Sequence, residues 1–283
     1  MSRADKSKLR PVMGHYDANY GSFQTELYAQ IRQEAFGEDI GQNSWLTATE
    51  QDMFLGWLDL SEGKTLLDVG CGSGGPALRM SANTGCCVVG IDLHEQAIST
   101  AKLMASRRHL EKSAEFSVVN AMGPLPFSAA RFDAITCIDA INHLPNRPLV
   151  IADWARLLKP GGRLLFTDPV TVTGPLTNAE IVARSSIGFF LFVPLDYDER
   201  ILAECGFRVL KRKDITANMA VVAEKRRVAR EARSAAVRQI EGDQAYEAQQ
   251  SFLAMTACLA GEGRLSRFVF LSEKNDENSE LVG

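Results

Sequence analysis

No stretch of this chain is apolar for long enough to cross a bilayer. The longest apolar run, Ile187 to Leu195, falls far short of the roughly 20 residues that a spanning helix needs. Charge of one sign is also missing. Lys plus Arg number 31 against 35 Asp plus Glu, and a net charge of −4 offers no basic footprint for nucleic acid. Cysteine is present but unorganised: the thiols at 71, 86, 87, 137, 205 and 258 form no CxxC pair and have no histidine cluster nearby. That excludes the usual metal spacings and a disulfide framework, fits a reducing cytosol, and predicts buried structural thiols for most of them. Behind the charged start, Met1 to Arg10, there is no apolar stretch of the kind a secretory signal carries. No repeat or low-complexity tract is visible.

What is present is an ordinary globular composition, 46% hydrophobic and 23% charged. The 283 residues exceed the ~150–200 of a minimal three-layer α/β unit, so a surplus of chain needs another role. Thr65–Gly70, Cys86–Asp92, Glu115–Asn120, Phe132–Asp139 and Arg163–Asp168 read as strands rich in Val, Ile, Leu and Phe. Helical patterns separate them, at His94–His109 and at Pro148–Leu158, where Leu149, Val150, Trp154, Leu157 and Leu158 recur at helical spacing. Strands alternating with helices imply βαβ units, hence a mostly parallel sheet with helices on both faces. Phe207–Lys213 and Arg267–Glu273 are two further strands, making seven, and a long helical stretch, Ala217–Gly261, lies between them. Residues 1–64 form a helical segment with helices near Ser22–Ala35 and Thr47–Leu60, while Pro169–Pro194 interrupts the rhythm. These three additions are expected as helical caps over the carboxyl edge of the sheet, where open α/β sheets bind ligands. Packing elsewhere, or against a second copy of the chain in a homodimer, is the alternative.

The central signal is Leu66-Leu67-Asp68-Val69-Gly70-Cys71-Gly72-Ser73-Gly74-Gly75-Pro76, a strand running through glycines into a helix opened by proline. Gly70, Gly72 and Gly75 satisfy GxGxxG, which alone points weakly to a dinucleotide. Charge argues against that ligand. Asp68 stands two residues before the first glycine, where a carboxylate repels a pyrophosphate and attracts a ligand carrying sulfonium and ammonium groups. Asp92, closing the second strand, is placed to hydrogen-bond ribose hydroxyls of either kind of ligand.

With these residues in view, the chain resembles the class I S-adenosylmethionine-dependent methyltransferases from about Thr65 to Asp168. "LLDVGCGSG" and "VVGIDL" are similar to the family's first two motifs, and "VVNAMGPLPF" to its adenine-contacting loop. "FDAITCIDAINHL" and "LLKPGGRLLFTDP" match the fourth-strand motif and the approach to the fifth. The resemblance implies a Rossmann-like seven-stranded fold and S-adenosylmethionine as cofactor. It implies cofactor contacts from Asp68, Gly70, Cys71, Gly72, Gly74, Asp92, Leu93, Asn120, Ala121 and Ile138. Many relatives carry Asp at the position of Asn120; an amide can still accept from an adenine amino group and donate to a ring nitrogen. Pro160-Gly161-Gly162 reads as a structural turn.

Methyl transfer needs alignment and exclusion of water, plus a base where the nucleophile carries a proton. His143, just past the fourth strand, is where many small-molecule members of the family place a histidine near the transferred methyl. It is expected to act as base or substrate orienter; ordering a loop or packing beneath the adenosine is the alternative. His94 and His109 fall at opposite ends of a predicted helix and are expected in solvent. His15, Tyr16, Asp17 and Tyr20 form an N-terminal cluster. There the resemblance implies an aromatic residue, Tyr16 or Tyr20, near the sulfonium; docking of a terminal helix is the plainer reading. Asp139 reads equally as an amine ligand or a helix cap.

Between Lys211 and Arg238 there are nine Lys/Arg and three Asp/Glu. No aromatics interleave with them, and the i,i+3 and i,i+4 charge pairs describe a solvated helix face rather than a nucleic-acid surface. The end from Glu273 to Glu280 reads as an acidic tail. In layout the long insertion is similar to methyltransferases of glycine derivatives and phosphoethanolamine, which implies a small amine or hydroxyl substrate. Ile187 to Leu195 reads either as core or as an apolar pocket wall, and the latter suits a polyketide, terpenoid or quinone. Three functions follow: N- or O-methylation of a small molecule, C-methylation of a quinone or terpenoid, or a cofactor-binding module without turnover.

Overall fold

The computed structural model describes residues 20–275. His15, Tyr16, Asp17 and the end beyond 275 lie outside them. The described strands are β1 (Thr65–Val69), β2 (Cys87–Asp92), β3 (Ala114–Val118), β4 (Phe132–Ile138), β5 (Leu158–Val172), β6 (Val193–Pro194), β7 (Phe207–Asp214) and β8 (Leu265–Lys274). The described helices are α1 (Glu26–Phe36), α2 (Ala48–Leu58), α3 (Gly75–Thr84), α4 (Glu95–Arg107), α5 (Arg147–Leu157), α6 (Asn178–Arg184), α7 (Tyr197–Glu204), α8 (Thr216–Glu231), α9 (Ser234–Glu241) and α10 (Asp243–Gly261). Seven strands run in the order β3-β2-β1-β4-β5-β8-β7, and the short β6 pairs with β5. β8 is antiparallel to both its neighbours and the other pairings are parallel. The fold is therefore the expected mostly parallel α/β sheet, with one short extra strand.

Strand residues alternate between two apolar faces, which is why no polar alternation is visible in sequence. Leu66, Val88, Phe116 and Leu165 pack with α2, α3 and α4, and Leu67, Val89, Ile135 and Phe166 pack with α5 and α7. The neighbouring strands β1 and β4 are where the order of the strands reverses, so their carboxyl ends open a crevice.

Two differences from the expected elements have physical causes. β5 extends well past Asp168 because β6 and the far end of β8 supply partners for Thr171 and Val172. The helical stretch expected over 217–261 is divided into three helices, broken at Arg233 and at Gly242, whose φ of 82° ends α9. All three additions meet in one apolar cluster: Phe36 and Trp45 from the front, Ile187 and Phe190 from the middle segment, and Met219, Val222, Phe252 and Leu253 from α8 and α10.

The front segment also lies close against the glycine-rich turn. Ser73 Oγ donates to the Gly41 carbonyl at 3.2 Å, and a Cβ on Gly75 would sit 2.2 Å from the Ile40 carbonyl oxygen. Gly75→Ala is accordingly expected to cost about 1–3 kcal/mol through overpacking against backbone. A denaturant midpoint equal to that of the wild type would refute this.

Candidate functional site

At the carboxyl ends of β1, β2 and β4 the crevice widens into a cavity of about 780 Å³. Its floor is the turn after β1. Gly70 and Gly72 have φ of +74° and +54°, and the Gly70 and Cys71 N–H groups donate to the Ile91 carbonyl at 2.8 and 3.0 Å. A side chain on Gly72 would also collide with Tyr20, whose Oη lies 2.9 Å from the Cβ position. Asp92 closes the loop: its Oδ2 accepts from the Gly72 N–H and its Oδ1 from the His94 N–H, both at 2.9 Å. Burial holds its carboxyl above the usual range. Asp92 also lines the cavity, where a carboxylate oxygen can accept from a ribose hydroxyl.

Asp68 stands at the end of β1 and is buried. Its Oδ1 accepts from Thr136 Oγ1 at 2.7 Å. Burial pushes its carboxyl up to about 6; the Thr136 hydrogen bond opposes this, the charge of Asp92 adds to it, and no cation among the described residues offsets it. The Asn120 carboxamide oxygen accepts from the Met122 N–H at 2.9 Å, so Asn120 shapes its own loop and offers its NH2 group as donor. Leu93, Ala121, Ile138 and Tyr20 line the cavity too. Gly74 does not. A Cβ there would meet Ala101 at 2.8 Å and Phe116 at 3.0 Å, so packing of α3 against α4 and β3 sets its identity.

His143 ends a single 3-10 turn, Ile141–His143, after β4. Its Nδ1 lies 2.8 Å from the Phe189 carbonyl oxygen, and its ring centroid is 4.8 Å from that of Phe190. A carbonyl only accepts, so Nδ1 carries the proton and Nε2 is the lone-pair nitrogen of the neutral ring. Burial pushes its pKa down to about 4; the positive charges of Arg184 and His94 act the same way, and the Phe189 hydrogen bond opposes them. The imidazole is neutral throughout the neutral range.

Asp139 belongs to a buried ionic cluster rather than to a cap. Arg267 Nε donates to its Oδ1 at 2.7 Å, while Arg267 NH1 holds both Glu50 oxygens at 2.9 and 3.0 Å. The Trp45 N–H also donates to Asp139 Oδ2 at 2.9 Å, pinning the front segment to the end of β4. Among the described residues no group of His, Cys, Asp and Glu could hold a metal ion.

The chain is similar in sequence and in fold to known proteins. A family model for a methyltransferase domain matches residues 60–188. The 27-O-demethylrifamycin SV methyltransferase of Amycolatopsis mediterranei is 30% identical over 203 residues, 68% of this chain and 74% of that protein. This chain belongs to the class I S-adenosylmethionine-dependent methyltransferases. The O-methyltransferase resE of Aspergillus sclerotiorum is also 30% identical to this methyltransferase, over 72% of the chain and 78% of that relative. In fold it is similar to the cyclopropane synthase MmaA2 of Mycobacterium tuberculosis, with a TM-score of 0.75 at 21% identity over 93% and 98% of the two chains.

Several residues of the methyltransferase's cavity escaped the sequence reading. His94, expected in solvent, lines the cavity with its ring 5.9 Å from that of Tyr20, because it is the N-cap of α4 facing the turn after β1. His109 is exposed as expected. Asn43 and Ser44 enter from the front segment and Phe189 from the middle one, whereas no residue of 217–261 lines the cavity. The polar Gln42-Asn43-Ser44 between two helices was the available signal. Of the six cysteines, all unpaired, Cys71, Cys86 and Cys137 are buried, Cys205 is half-buried, and Cys87 and Cys258 are exposed. Arg227 bridges Glu224 and Glu231 as the spacing predicts, whereas Arg230 is buried and holds Glu241 of the next helix. No helix among the described residues is long and apolar enough to cross a membrane.

Proposed function

We propose that this methyltransferase methylates a hydroxyl group of a small, largely apolar molecule, with His143 receiving the proton. The cavity suits the methyl donor by the chemistry of its acids. Asp68 is buried, and among the described residues no cation acts on it. A ligand bringing sulfonium and ammonium charge relieves that cost, while a pyrophosphate adds to it. Asp68 would face the amino-acid portion, Asp92 the ribose, and Asn120 and Ala121 the adenine. S-adenosylmethionine, when bound, supplies a methyl group already activated by its sulfonium. The chain's own part is to bind and orient both partners, exclude water and take up a proton.

The observation that carries the hydroxyl reading is the neutral imidazole of His143 on the cavity wall, held as the Nδ1–H tautomer. A hydroxyl needs a base at or before the transition state, whereas an amine needs only to arrive neutral. Phe189, half out in solvent beside His143, gives the wall an apolar edge. Six unpaired thiols support a cytosolic site of action.

Calorimetry with S-adenosylmethionine and with NAD, followed by a methyl-transfer screen over phenols, alcohols, amines and quinones, tests the reading. NAD binding without a response to S-adenosylmethionine would overturn the cofactor site, and transfer confined to nitrogen or carbon would overturn the hydroxyl assignment. Asp68→Asn is expected to weaken S-adenosylmethionine roughly 10- to 100-fold, the ~1.5–3 kcal/mol of a hydrogen bond to a charged group. A cation prefers the ionised carboxyl, so wild-type affinity should fall as pH drops through about 6. An affinity flat from pH 7 to 5 would contradict this role of Asp68.

A further inference from the structure

Behind His143 lies a buried ionic cluster that methyl transfer itself does not use. Arg147, the first residue of α5, is fully buried, and its NH1 group donates to Asp168 Oδ2 at 2.6 Å and to Asp198 Oδ1 at 2.7 Å. Asp168 comes from β5 and Asp198 from the first turn of α7, and both are buried as well. Burial and the neighbouring Asp168 hold the Asp198 carboxyl well above its ordinary value, with Arg147 opposing, so the cluster is a poor source of stability compared with apolar packing. What it provides is geometry. The NH2 group reaches a backbone acceptor, the Leu191 carbonyl, at 3.3 Å.

Leu191 belongs to a stretch, 189–192, without helix or strand. Its path is set instead by hydrogen bonds to the chain on either side of His143. The Leu191 N–H donates to the Asn142 carbonyl at 2.8 Å, Arg147 holds the Leu191 carbonyl, and two residues earlier the Phe189 carbonyl accepts from His143 Nδ1. The buried ring of Phe190 anchors the middle of the stretch. Residues 142, 143 and 147 thus grip 189 and 191 as one hydrogen-bonded unit.

We infer that Arg147, clamped by Asp168 and Asp198, is the positioning residue for His143. By holding the Leu191 carbonyl it presents the Phe189 carbonyl to Nδ1, and this keeps Nε2 as the nitrogen that accepts the proton. The inference rests on the reading of His143 as base. A backbone carbonyl does here what a carboxylate does in other base–orienter pairs, with one difference. It selects the tautomer without adding a full negative charge, in keeping with a ring that stays neutral to about pH 4 beside Arg184 from α6 and His94 from the N-cap of α4. In the reaction the acceptor oxygen's lone pair forms the new O–C bond as the S–C bond breaks. The electron pair of that bond stays on sulfur, and the hydroxyl proton passes to His143 Nε2.

Arg147→Lys tests this, because lysine keeps a positive charge beside the two acids but lacks the planar fork that reaches Leu191. The expected result is a kcat at least tenfold lower with KM for S-adenosylmethionine within twofold. The acid limb of the kcat profile should move up from near pH 4 toward the ordinary histidine value of about 6.5, as the loosened ring gains access to water. A wild-type kcat and an unmoved acid limb, even with a lower Tm, would overturn the inference. If His143→Gln is itself fully active, the base reading fails first. If that variant is inactive while Arg147→Lys behaves as wild type, only the positioning role fails. Nitrogen NMR of the wild-type imidazole tests the tautomer on which the inference rests, whether or not the variant folds. A protonated Nδ1 with an unprotonated Nε2 is expected, and the opposite tautomer refutes it.

Discussion

His143→Gln is expected to lower kcat by about 10²–10⁴, the usual worth of a positioned general base, while leaving S-adenosylmethionine affinity within twofold. Glutamine is polar and close in size but has no nitrogen that takes a proton near neutral pH. Because burial holds the wild-type imidazole at about 4, the wild-type rate should rise through that pH and stay flat across the neutral range. A rate limb near 6.5 would mean the ring is solvated during turnover. Stability should respond as well. The folded value lies below the unfolded one of about 6.5, so the native state binds fewer protons between pH 4 and 6.5 and loses stability as pH falls through that window. The glutamine variant lacks this loss and should gain on the wild type at pH 5. Full turnover in the variant would remove His143 from the mechanism.

Arg267→Met should destabilise the fold by about 3–5 kcal/mol, the cost of stripping the partner from buried carboxylates. Arg267 is fully buried between Asp139 and Glu50, and methionine fills much of its volume without its charge. Glu50 already sits above the usual carboxylate range through burial, with Arg267 pulling it down. Without the guanidinium it should rise further. An acid raised in the folded state contributes stability below its unfolded pKa and loses it as pH rises through the folded one. The variant should therefore be relatively more stable at pH 5 than at pH 8, as read by denaturant midpoints with unchanged slope. A variant as stable as the wild type at pH 8 would show that the two carboxylates find other partners. Since Asp139 also accepts from the Trp45 N–H, loss of cofactor affinity should accompany the loss of stability.

The legible parts of this protein are those whose cause is local. A run of Val, Ile and Leu ending in Asp and glycines produces a buried strand and a turn with positive φ. The carboxylate of Asp92 then falls across from Gly72 because one βαβ unit has a fixed reach. That logic placed Asp68 and Asp92 at one cavity, and the family resemblance added Tyr20, Asn120 and His143, which line it too. It did not place His94, which a helix-end reading sent to solvent, nor Gly74, whose constraint is Phe116 and Ala101.

The charged clusters were illegible for a different reason. Arg267 and Asp139 stand 128 residues apart, and Arg147 meets Asp168 and Asp198 from separate elements. Periodicity carries no trace of such pairs, because each side chain sits at one point of an apolar pattern and the partner is chosen by the crossing of elements.

The residues alone determined the sheet, the acids and glycines of the crevice and the methyl-transfer family, since strand burial and turn sterics act over a few neighbours. Tertiary packing decided which nitrogen of His143 carries the proton, what restrains Asp139, and that Asn43, Ser44 and Phe189 reach the cavity. Those outcomes depend on elements far apart in sequence being forced together by the burial of Trp45, Phe190 and Phe252 in one apolar layer.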